Sequence, residues 1–259
     1  MSISDTSSVP TSFGDVPITI DERGSGRPVV ILHGGAGPMS VIGFADLLSD
    51  VTGSRVIVPT HPGFGGTPRP DGLTTVAGLA EVYANLLDVL KLEDAIVIGN
   101  SIGGWIASEI ALRHPARLGG LALVNSVGIE VEGHPVASSI PPAEIAQYSW
   151  YDPSKAPQMN LAALPPAARE IFAGNGAAMA LYGGGTMEDS TLLDRLAGID
   201  VPTFVFWGEA DRIVDADYGR AFAEAIPGAS FQLLPKTGHV PQMETPELLL
   251  QALQSALAL

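Results

Sequence analysis

The sequence predicts an α/β fold in which a mainly parallel, doubly wound sheet carries helices on both faces and a small helical insertion. Two patterns predict it: short apolar runs alternate with helix-period segments, and one central region breaks that alternation. The composition is consistent with a packed core, because 46% of the 259 residues are hydrophobic and only 16% are charged. We therefore expect a globular chain whose sheet can position a site.

The predicted strands are runs of about four to six β-branched or aliphatic residues bounded by glycine or proline, a pattern typical of buried parallel strands. The first lies at residues 17–21 and precedes a glycine turn. Six further strands are predicted at residues 29–32, 56–58, 95–98, 121–124, 203–206 and 231–234.

Helix-period segments lie between these strands. In the longest of them, apolar residues recur every three or four positions and form one buried stripe, which includes Leu79, Val82, Leu86 and Leu90. The alternation indicates parallel strands whose carboxyl ends meet at one edge of the sheet. The predicted helices span residues 41–49, 74–90, 102–113, 217–225 and 246–258.

The region that breaks the alternation covers residues 129–190. It contains seven prolines and no convincing strand, with short helical pieces at 143–148 and 167–173. Since it falls between two core strands, we expect a helical cap over the carboxyl edge, where open α/β sheets bind ligands. The predicted division is therefore a core of residues 1–128 and 191–259 and a cap of residues 129–190.

Charge and cysteine content exclude several classes of function. The formal net charge of −15 disfavours nucleic acid and anionic membranes as partners, which leaves a small-molecule substrate. The absence of cysteine excludes disulfides, thiolate catalysis and zinc–thiolate sites, and we expect no metal and no cofactor. Residues 1–12 do not have the pattern of a signal peptide, and no apolar run approaches a spanning length, so we expect a cytoplasmic protein.

A G-x-S-x-G motif, Gly99-Asn100-Ser101-Ile102-Gly103, lies between a predicted strand and a predicted helix. A serine on so tight a turn needs a strained backbone and small neighbours, which the glycines supply. The helix N-terminus also places N–H groups beside the serine oxygen, where a negative charge would develop. A glycine turn with an incidental serine is the alternative, but the flanking strand and helix favour Ser101 as a nucleophile.

A second glycine-rich loop, residues 33–38, follows another predicted strand. Consecutive glycines let a backbone N–H face a carbonyl oxygen without interference from a side chain. A phosphate-binding loop is disfavoured because the sequence has neither G-x-G-x-x-G nor a Walker lysine at this place. A simple turn is the other alternative, and with Ser101 present we favour an oxyanion loop.

His239 follows the last predicted strand, so its loop lies at the same edge as the serine. Four other histidines compete for the role of base. We expect His33 to shape the oxyanion loop and His61 to lie at the rim, while His114 ends a helix and His134 belongs to the cap.

Asp211 follows the strand at 203–206 and is the predicted acid that orients His239. Asp215 and Asp217 are expected to begin the next helix, and Glu209 remains a neighbouring rival. The alternative position after the strand at 121–124 holds Asn125, whose amide cannot act as the acid. The resulting chain order is Ser, Asp, His.

These motifs together resemble the α/β-hydrolase superfamily over nearly the whole chain. The resemblance rests on residues 33–38, 61–65, 99–104, 208–211 and 238–239. It implies an α/β-hydrolase fold and an oxyanion hole formed by the backbone N–H groups of Gly35 and Ile102. The Gly-Asn-Ser-x-Gly-Gly elbow resembles that of meta-cleavage-product hydrolases, and the same elbow occurs in carboxylesterases and lactonases.

The resemblance implies a serine hydrolase without a cofactor. The cap has few charged residues and no arginine cluster for a dianionic substrate, which favours a small, mostly apolar ester or lactone over carbon–carbon bond cleavage. A hydroxynitrile-lyase-like enzyme, with Lys236 near the base, and a non-enzymatic receptor are further alternatives. Trp105, Trp150 and Tyr151 are the expected substrate-binding residues. Other apolar candidates for the pocket wall are Met159, Phe172, Met179 and Tyr182.

Overall fold

The computed structural model describes residues 3–113, 117–138, 140–157 and 163–257. Within these residues, eight strands form one sheet: β1 (Ile3–Thr11), β2 (Gly14–Arg23), β3 (Pro28–Leu32), β4 (Arg55–Pro59), β5 (Ala95–Asn100), β6 (Leu118–Val124), β7 (Thr203–Gly208) and β8 (Ser230–Leu234). The strand order is β1-β2-β4-β3-β5-β6-β7-β8. From β4 to β8 all neighbours are parallel, and only the β1–β2 and β2–β4 pairs are antiparallel. The predicted α/β sheet is therefore confirmed.

Helices cover both faces of this sheet, and two apolar clusters show which helix lies where. Residues of α1 (Met39–Thr52) and α9 (Pro246–Leu257) pack in one cluster with one set of strand side chains. Residues of α2 (Val76–Val89), α3 (Ile102–Ala111) and α7 (Ala216–Ala225) pack in the other. Successive side chains of a strand point to opposite faces, so β5 supplies Val97 to one cluster and Ile98 to the other.

The segment between β6 and β7 contains no strand among its described residues. It forms α4 (Ile145–Ser149), α5 (Pro166–Gly183), α6 (Leu192–Arg195) and two single 3₁₀ turns, Pro153–Lys155 and Leu196–Gly198. Helix α5 is much longer than the short piece predicted at 167–173. The assignment of residues 129–190 to a separate cap stays a prediction.

Elements β1, α6 and α8 were not predicted. Strand β1 is polar and lies at the edge of the sheet, where it pairs with β2 over nine residue pairs, so it lacks the apolar run by which buried strands are recognised. The short helix α8 (Pro241–Glu244) directly follows the predicted base, and one turn is too brief for a 3.6-residue pattern to be visible. No described helix combines the length and apolarity needed to cross a membrane.

Candidate active site

Ser101 lies between β5 and α3, where the chain reverses direction at the carboxyl edge of the sheet. Its backbone has φ 58° and ψ −123°, a conformation that a non-glycine residue rarely adopts. A Cβ on Gly99 would overlap the carbonyl oxygen of Gly103, and a Cβ on Gly103 would overlap that of Leu32. The glycines of the motif are therefore needed to bring three backbone segments into contact beneath the serine.

His239 and Asp211 form a buried hydrogen-bonded pair. The Nδ1–H of His239 donates to Oδ2 of Asp211 at 2.7 Å, and the Asp211 side chain has no exposed surface. The other carboxylate oxygen, Oδ1, accepts from the backbone N–H groups of Ile213 at 2.8 Å and Val214 at 3.1 Å. This arrangement places the proton of the neutral imidazole on Nδ1 and leaves Nε2 unprotonated, as a general base requires.

The other carboxylates considered for the role of the acid make different contacts. Asp215 accepts from the N–H groups of Asp217 and Tyr218 and so caps α7, as predicted. Asp217 itself is exposed, and Glu209 accepts from the backbone N–H of Lys236. Of the four carboxylates considered, only Asp211 contacts His239 in the described part of the chain.

Asn125 contributes to the site in a way that was not predicted. Its Nδ2 donates to Oδ2 of Asp211 at 2.6 Å, and its Oδ1 accepts from the backbone N–H of Gly208 at 3.3 Å. It is fully buried and adopts a positive φ of 47°. The amide therefore holds the carboxylate that contacts His239. The one signal for this contact in the sequence was the position of Asn125 directly after a predicted strand, at the carboxyl edge of the sheet.

Asn100 connects the serine turn to residues 235–240, the loop that carries the predicted base His239 and is called the base loop below. Its Nδ2 donates to the carbonyl oxygens of Val124 and His239, both at 3.1 Å, and its Oδ1 accepts from Gln242 at 3.1 Å. Ser101 is 5% exposed, and its Oγ makes no hydrogen bond to another described residue. Catalytic hydrogen bonds are often long or poorly aligned without substrate and tighten in the complex.

The predicted oxyanion loop is held by three fully buried aromatic side chains. His33 Nε2 accepts from the backbone N–H of His61, and His33 Nδ1 donates to the Gly34 carbonyl oxygen at 2.8 Å. His61 Nε2 donates to the His33 carbonyl oxygen at 2.9 Å, while its Nδ1 accepts from the Tyr83 hydroxyl. The prediction that His61 lies at the rim is therefore wrong, because the loop at 61–65 turns its histidine inward to satisfy buried backbone groups.

Burial keeps these groups neutral. It lowers the pKa of His61 to about 4 and, together with the neighbouring His61, lowers the pKa of His33 well below its ordinary value. Burial likewise raises the pKa of Tyr83. The array acts as a fixed support for the loop that carries Gly35. In the described part of the chain, the N–H groups of Gly35 and Ile102 donate to no other residue.

Glu244, on α8, connects the base loop to the segment that follows α4 through hydrogen bonds. Its carboxylate accepts from the N–H groups of Gly238 at 2.7 Å and of Tyr151 and Asp152, both at 3.0 Å. The backbone N–H of His239 donates to the Ser149 carbonyl oxygen at 2.8 Å. Residues 149–152 are thereby fixed directly beside His239. Sequence reasoning missed Glu244, because nothing local relates it to residues 92 and 93 positions away.

The predicted substrate-binding residues differ in their surroundings. Trp105 is buried, its ring lies against Gly128, and its indole N–H has no partner among the described residues. Trp150 is buried in a small cluster with Ala156 and Val240, whereas Tyr151 is 46% exposed. Of the other candidates, Phe172 is exposed, Tyr182 is buried, Met179 lies beside Gly35, and Met159 lies outside the described residues.

Other polar side chains line a cavity that does not include the predicted triad. A cavity of about 700 Å³ is lined by Glu130, Glu132, Glu188 and Asp194 among others, and it shares no residue with the serine, histidine and aspartate. Among the described residues, no group of three histidine or carboxylate side chains could hold a metal ion.

The sequence of this chain is similar to those of known proteins. A family model described as "Alpha/beta hydrolase family" matches residues 29–252. A 2-hydroxymuconate semialdehyde hydrolase of Pseudomonas putida is 28% identical over 92% of this chain and 90% of its own length. A putative carbamate hydrolase of Azorhizobium caulinodans is 28% identical over 91% of this chain and 92% of its own.

Solved structures are similar over nearly the whole chain. A thermophilic esterase from Thermogutta terrifontis superposes with a TM-score of 0.74 at 24% identity and covers 99% of this chain and 98% of its own. A serine hydrolase involved in carbazole degradation gives a TM-score of 0.77 at 21% identity and covers 100% and 99%. At these identities the likeness shows a shared fold.

Proposed function

Because the chain belongs to the alpha/beta hydrolase family and is a hydrolase, we propose that it cleaves a small, mostly apolar carboxylic ester or lactone through an acyl-enzyme on Ser101. The observation that carries the proposal is the buried 2.7 Å bond from His239 Nδ1 to Asp211. It sets the tautomer in which Nε2 can accept a proton, at the same sheet edge as a serine held on a strained turn.

Acylation begins when His239 Nε2 removes the hydroxyl proton of Ser101 and Oγ attacks the carbonyl carbon. The carbonyl oxygen becomes negative and is stabilised by the N–H groups of Gly35 and Ile102. Each such donor is typically worth roughly 3–4 kcal/mol of barrier. When the carbonyl re-forms, the carbon–oxygen bond to the leaving group breaks, and the imidazolium gives its proton to the departing alkoxide.

Deacylation repeats these steps with water. His239 removes a proton from water, hydroxide attacks the acyl carbon, and the bond to Oγ breaks as Ser101 recovers a proton from the imidazolium. An ester yields an acid and an alcohol, whereas a lactone yields one hydroxy acid because its two parts remain joined. Asp211 keeps its negative charge throughout and stabilises the imidazolium.

Residues 129–190 are proposed to act as the cap of the pocket, over a core of residues 1–128 and 191–259. Bonds from Glu244 and His239 to residues 149–152 support this, since they attach the segment to the base loop. Trp105, Trp150 and Tyr151 are proposed to contact substrate. The buried indole N–H of Trp105 has no partner among the described residues. A substrate oxygen that accepts from it would satisfy this donor, which supports a contact between Trp105 and the substrate.

Carbon–carbon bond hydrolysis is the second candidate, because several relatives are named as hydrolases of dienoate or muconate compounds. Such substrates carry carboxylates that need a cation in the pocket. Residues 129–190 contain only two lysine or arginine residues, Lys155 and Arg169, and both are exposed; the histidine of this segment, His134, pairs with Asp215. Arg195, just beyond, is engaged by Glu109 and Asp189. These observations favour the uncharged ester or lactone. Lys236 is exposed, which gives no support to a lyase.

Labelling with a fluorophosphonate followed by peptide mapping tests the nucleophile. We expect a single adduct on Ser101 and none in Ser101→Ala, while an adduct elsewhere would refute the assignment. A panel of nitrophenyl esters, run beside a vinylogous diketone, then tests the bond. Faster turnover of the diketone would favour carbon–carbon cleavage, and stoichiometric binding without turnover would oppose both enzymatic proposals.

A further inference from the structure

One face of α5 lies directly on the oxyanion loop and on the loop at 61–66. The residues of this face are three or four positions apart, as the helical repeat requires. Ala178 lies against Gly63 and Ile171 against Gly66, where added Cβ atoms would be 3.2 and 3.5 Å from them. The face comprises Ile171, Asn175, Ala178, Met179 and Tyr182.

Two polar side chains fix this helix in place. Asn175 Oδ1 accepts from the backbone N–H of Gly65 at 2.8 Å, and the Tyr182 hydroxyl donates to the Pro62 carbonyl oxygen at 3.0 Å. Tyr182 is buried, which raises the pKa of its phenol and keeps the donor protonated. These anchors lie four residues before and three residues after Met179, so they determine where its side chain can reach.

Met179 occupies the space above Gly35, the proposed oxyanion donor. A Cβ added to Gly35 would be 3.1 Å from both Sδ and Cε of Met179. The thioether therefore takes up the space that a side chain at position 35 would need, beside the backbone that would bind the substrate carbonyl. An unbranched methionine can also change rotamer, so it can limit this space without closing it.

The base loop is covered by a different segment. His239 donates its backbone N–H to Ser149, and Gly238 lies against the Ser149 carbonyl and Trp150. A leaving group must lie near His239 to receive its proton, which places it on the side of residues 149–152. The other substituent of the carbonyl then lies on the α5 side, next to Met179.

We propose that Met179 limits the length of the acyl group that the enzyme accepts, so that the preferred substrates are esters of short acids. This inference rests on the proposed function. Short acyl groups leave the Met179 side chain in place, whereas longer chains must displace it. Leaving-group preference is set separately, on the side of residues 149–152.

The test measures kcat/KM of p-nitrophenyl acetate, butyrate and octanoate for the parent, Met179→Ala and Met179→Phe. We expect the octanoate-to-acetate ratio to rise at least tenfold in the alanine variant and to fall in the phenylalanine variant, since one methylene of fit is worth about tenfold or more. The control is Leu181→Ala, on the same helix and 39% exposed, which should leave the ratio unchanged.

Further measurements separate a failure of this inference from a failure of the proposed function. If fluorophosphonate labels Ser101 in all variants but the acyl ratio stays constant, the role of Met179 is refuted. If all esters slow equally, Met179 is structural, which also refutes it. Phenyl and naphthyl acetates differ only in the leaving group. If the Met179 variants change the ratio of kcat/KM between these two esters but not the acyl-chain ratio, the acyl group does not lie beside Met179, and the inference is overturned. If the parent is not labelled, the proposed function fails and the inference fails with it.

Discussion

Replacing Asp211 with asparagine should force the base into the wrong tautomer. Oδ1 of Asp211 faces two backbone N–H donors, from Ile213 and Val214, so an asparagine must place its carbonyl oxygen there. Its NH₂ group then occupies the position of Oδ2, which faces His239 Nδ1. The imidazole can satisfy that NH₂ group only by accepting at Nδ1, which moves its proton to Nε2 and removes the base.

The expected loss is about 10⁴-fold in kcat, equivalent to about 5 kcal/mol at 1.36 kcal/mol per tenfold. In the parent, Asn125 Nδ2 donates to Asp211 Oδ2 at 2.6 Å. In the variant two NH₂ groups would face each other there, so one of the two amide side chains must rearrange. This second mismatch should lower stability by about 1–3 kcal/mol. The assay is kcat for a short nitrophenyl ester, with unfolding followed by circular dichroism.

The matched control is Asp217→Asn, which makes the same charge change at a side chain that is 70% exposed. It should keep near-parental activity and stability. If Asp211→Asn folds and retains more than about a tenth of the activity, Asp211 is not the orienting acid and the tautomer argument is wrong. If Asp217→Asn loses as much, the effect arises from net charge rather than from the buried pair.

Three more predictions concern the support of the site. His33 and His61 are neutral and have lowered pKa values, so the unfolded chain binds more protons, and stability should fall by about 1.4 kcal/mol per histidine per pH unit from about pH 6.5 towards 4 in urea titrations. Glu244→Gln loses charge-assisted bonds to three N–H groups, which should lower kcat/KM about tenfold and stability by about 2 kcal/mol in kinetic and melting assays. Gly99→Ala brings a Cβ onto the carbonyl oxygen of Gly103, and the resulting backbone shift should cost about 3 kcal/mol or more and abolish Ser101 labelling.

Each of these has its own control. His61→Gln should reduce the slope of stability against pH by about half, because one of the two histidines is removed. An unchanged slope would contradict the lowered pKa of His61. Glu247→Gln, exposed on α9, should behave like the parent, and equal losses in both glutamine variants would deny Glu244 a positioning role. Gly176→Ala, with no atom near the added Cβ, should be neutral or stabilising by up to about 1 kcal/mol. If Gly99→Ala is as stable as the parent and Ser101 is still labelled, the turn can accommodate a Cβ and the steric argument is wrong.

The strands, their flanking helices and the tight turn at Ser101 were predictable because their signals, apolar patterns and nearby glycines, lie within a few residues of each element. Apolar periodicity reports which face of a helix or strand is buried, and it gave seven of the eight strands. The exception, β1, is stabilised by pairing with β2 rather than by its own apolar residues. The glycines around Ser101 are a local steric requirement of its positive φ, so they are visible in the sequence beside it.

Only the tertiary structure decided which side chains support the site. Asn125 meets Asp211 across 86 residues, Glu244 meets Tyr151 across 93, and Asn175 meets Gly65 across 110. No local pattern encodes such pairs, because they form where strand ends and the inserted helices converge in space. His61 was misplaced for the same reason: its partners are a backbone carbonyl and a tyrosine on other elements, and satisfying them required burial that its own loop sequence does not reveal.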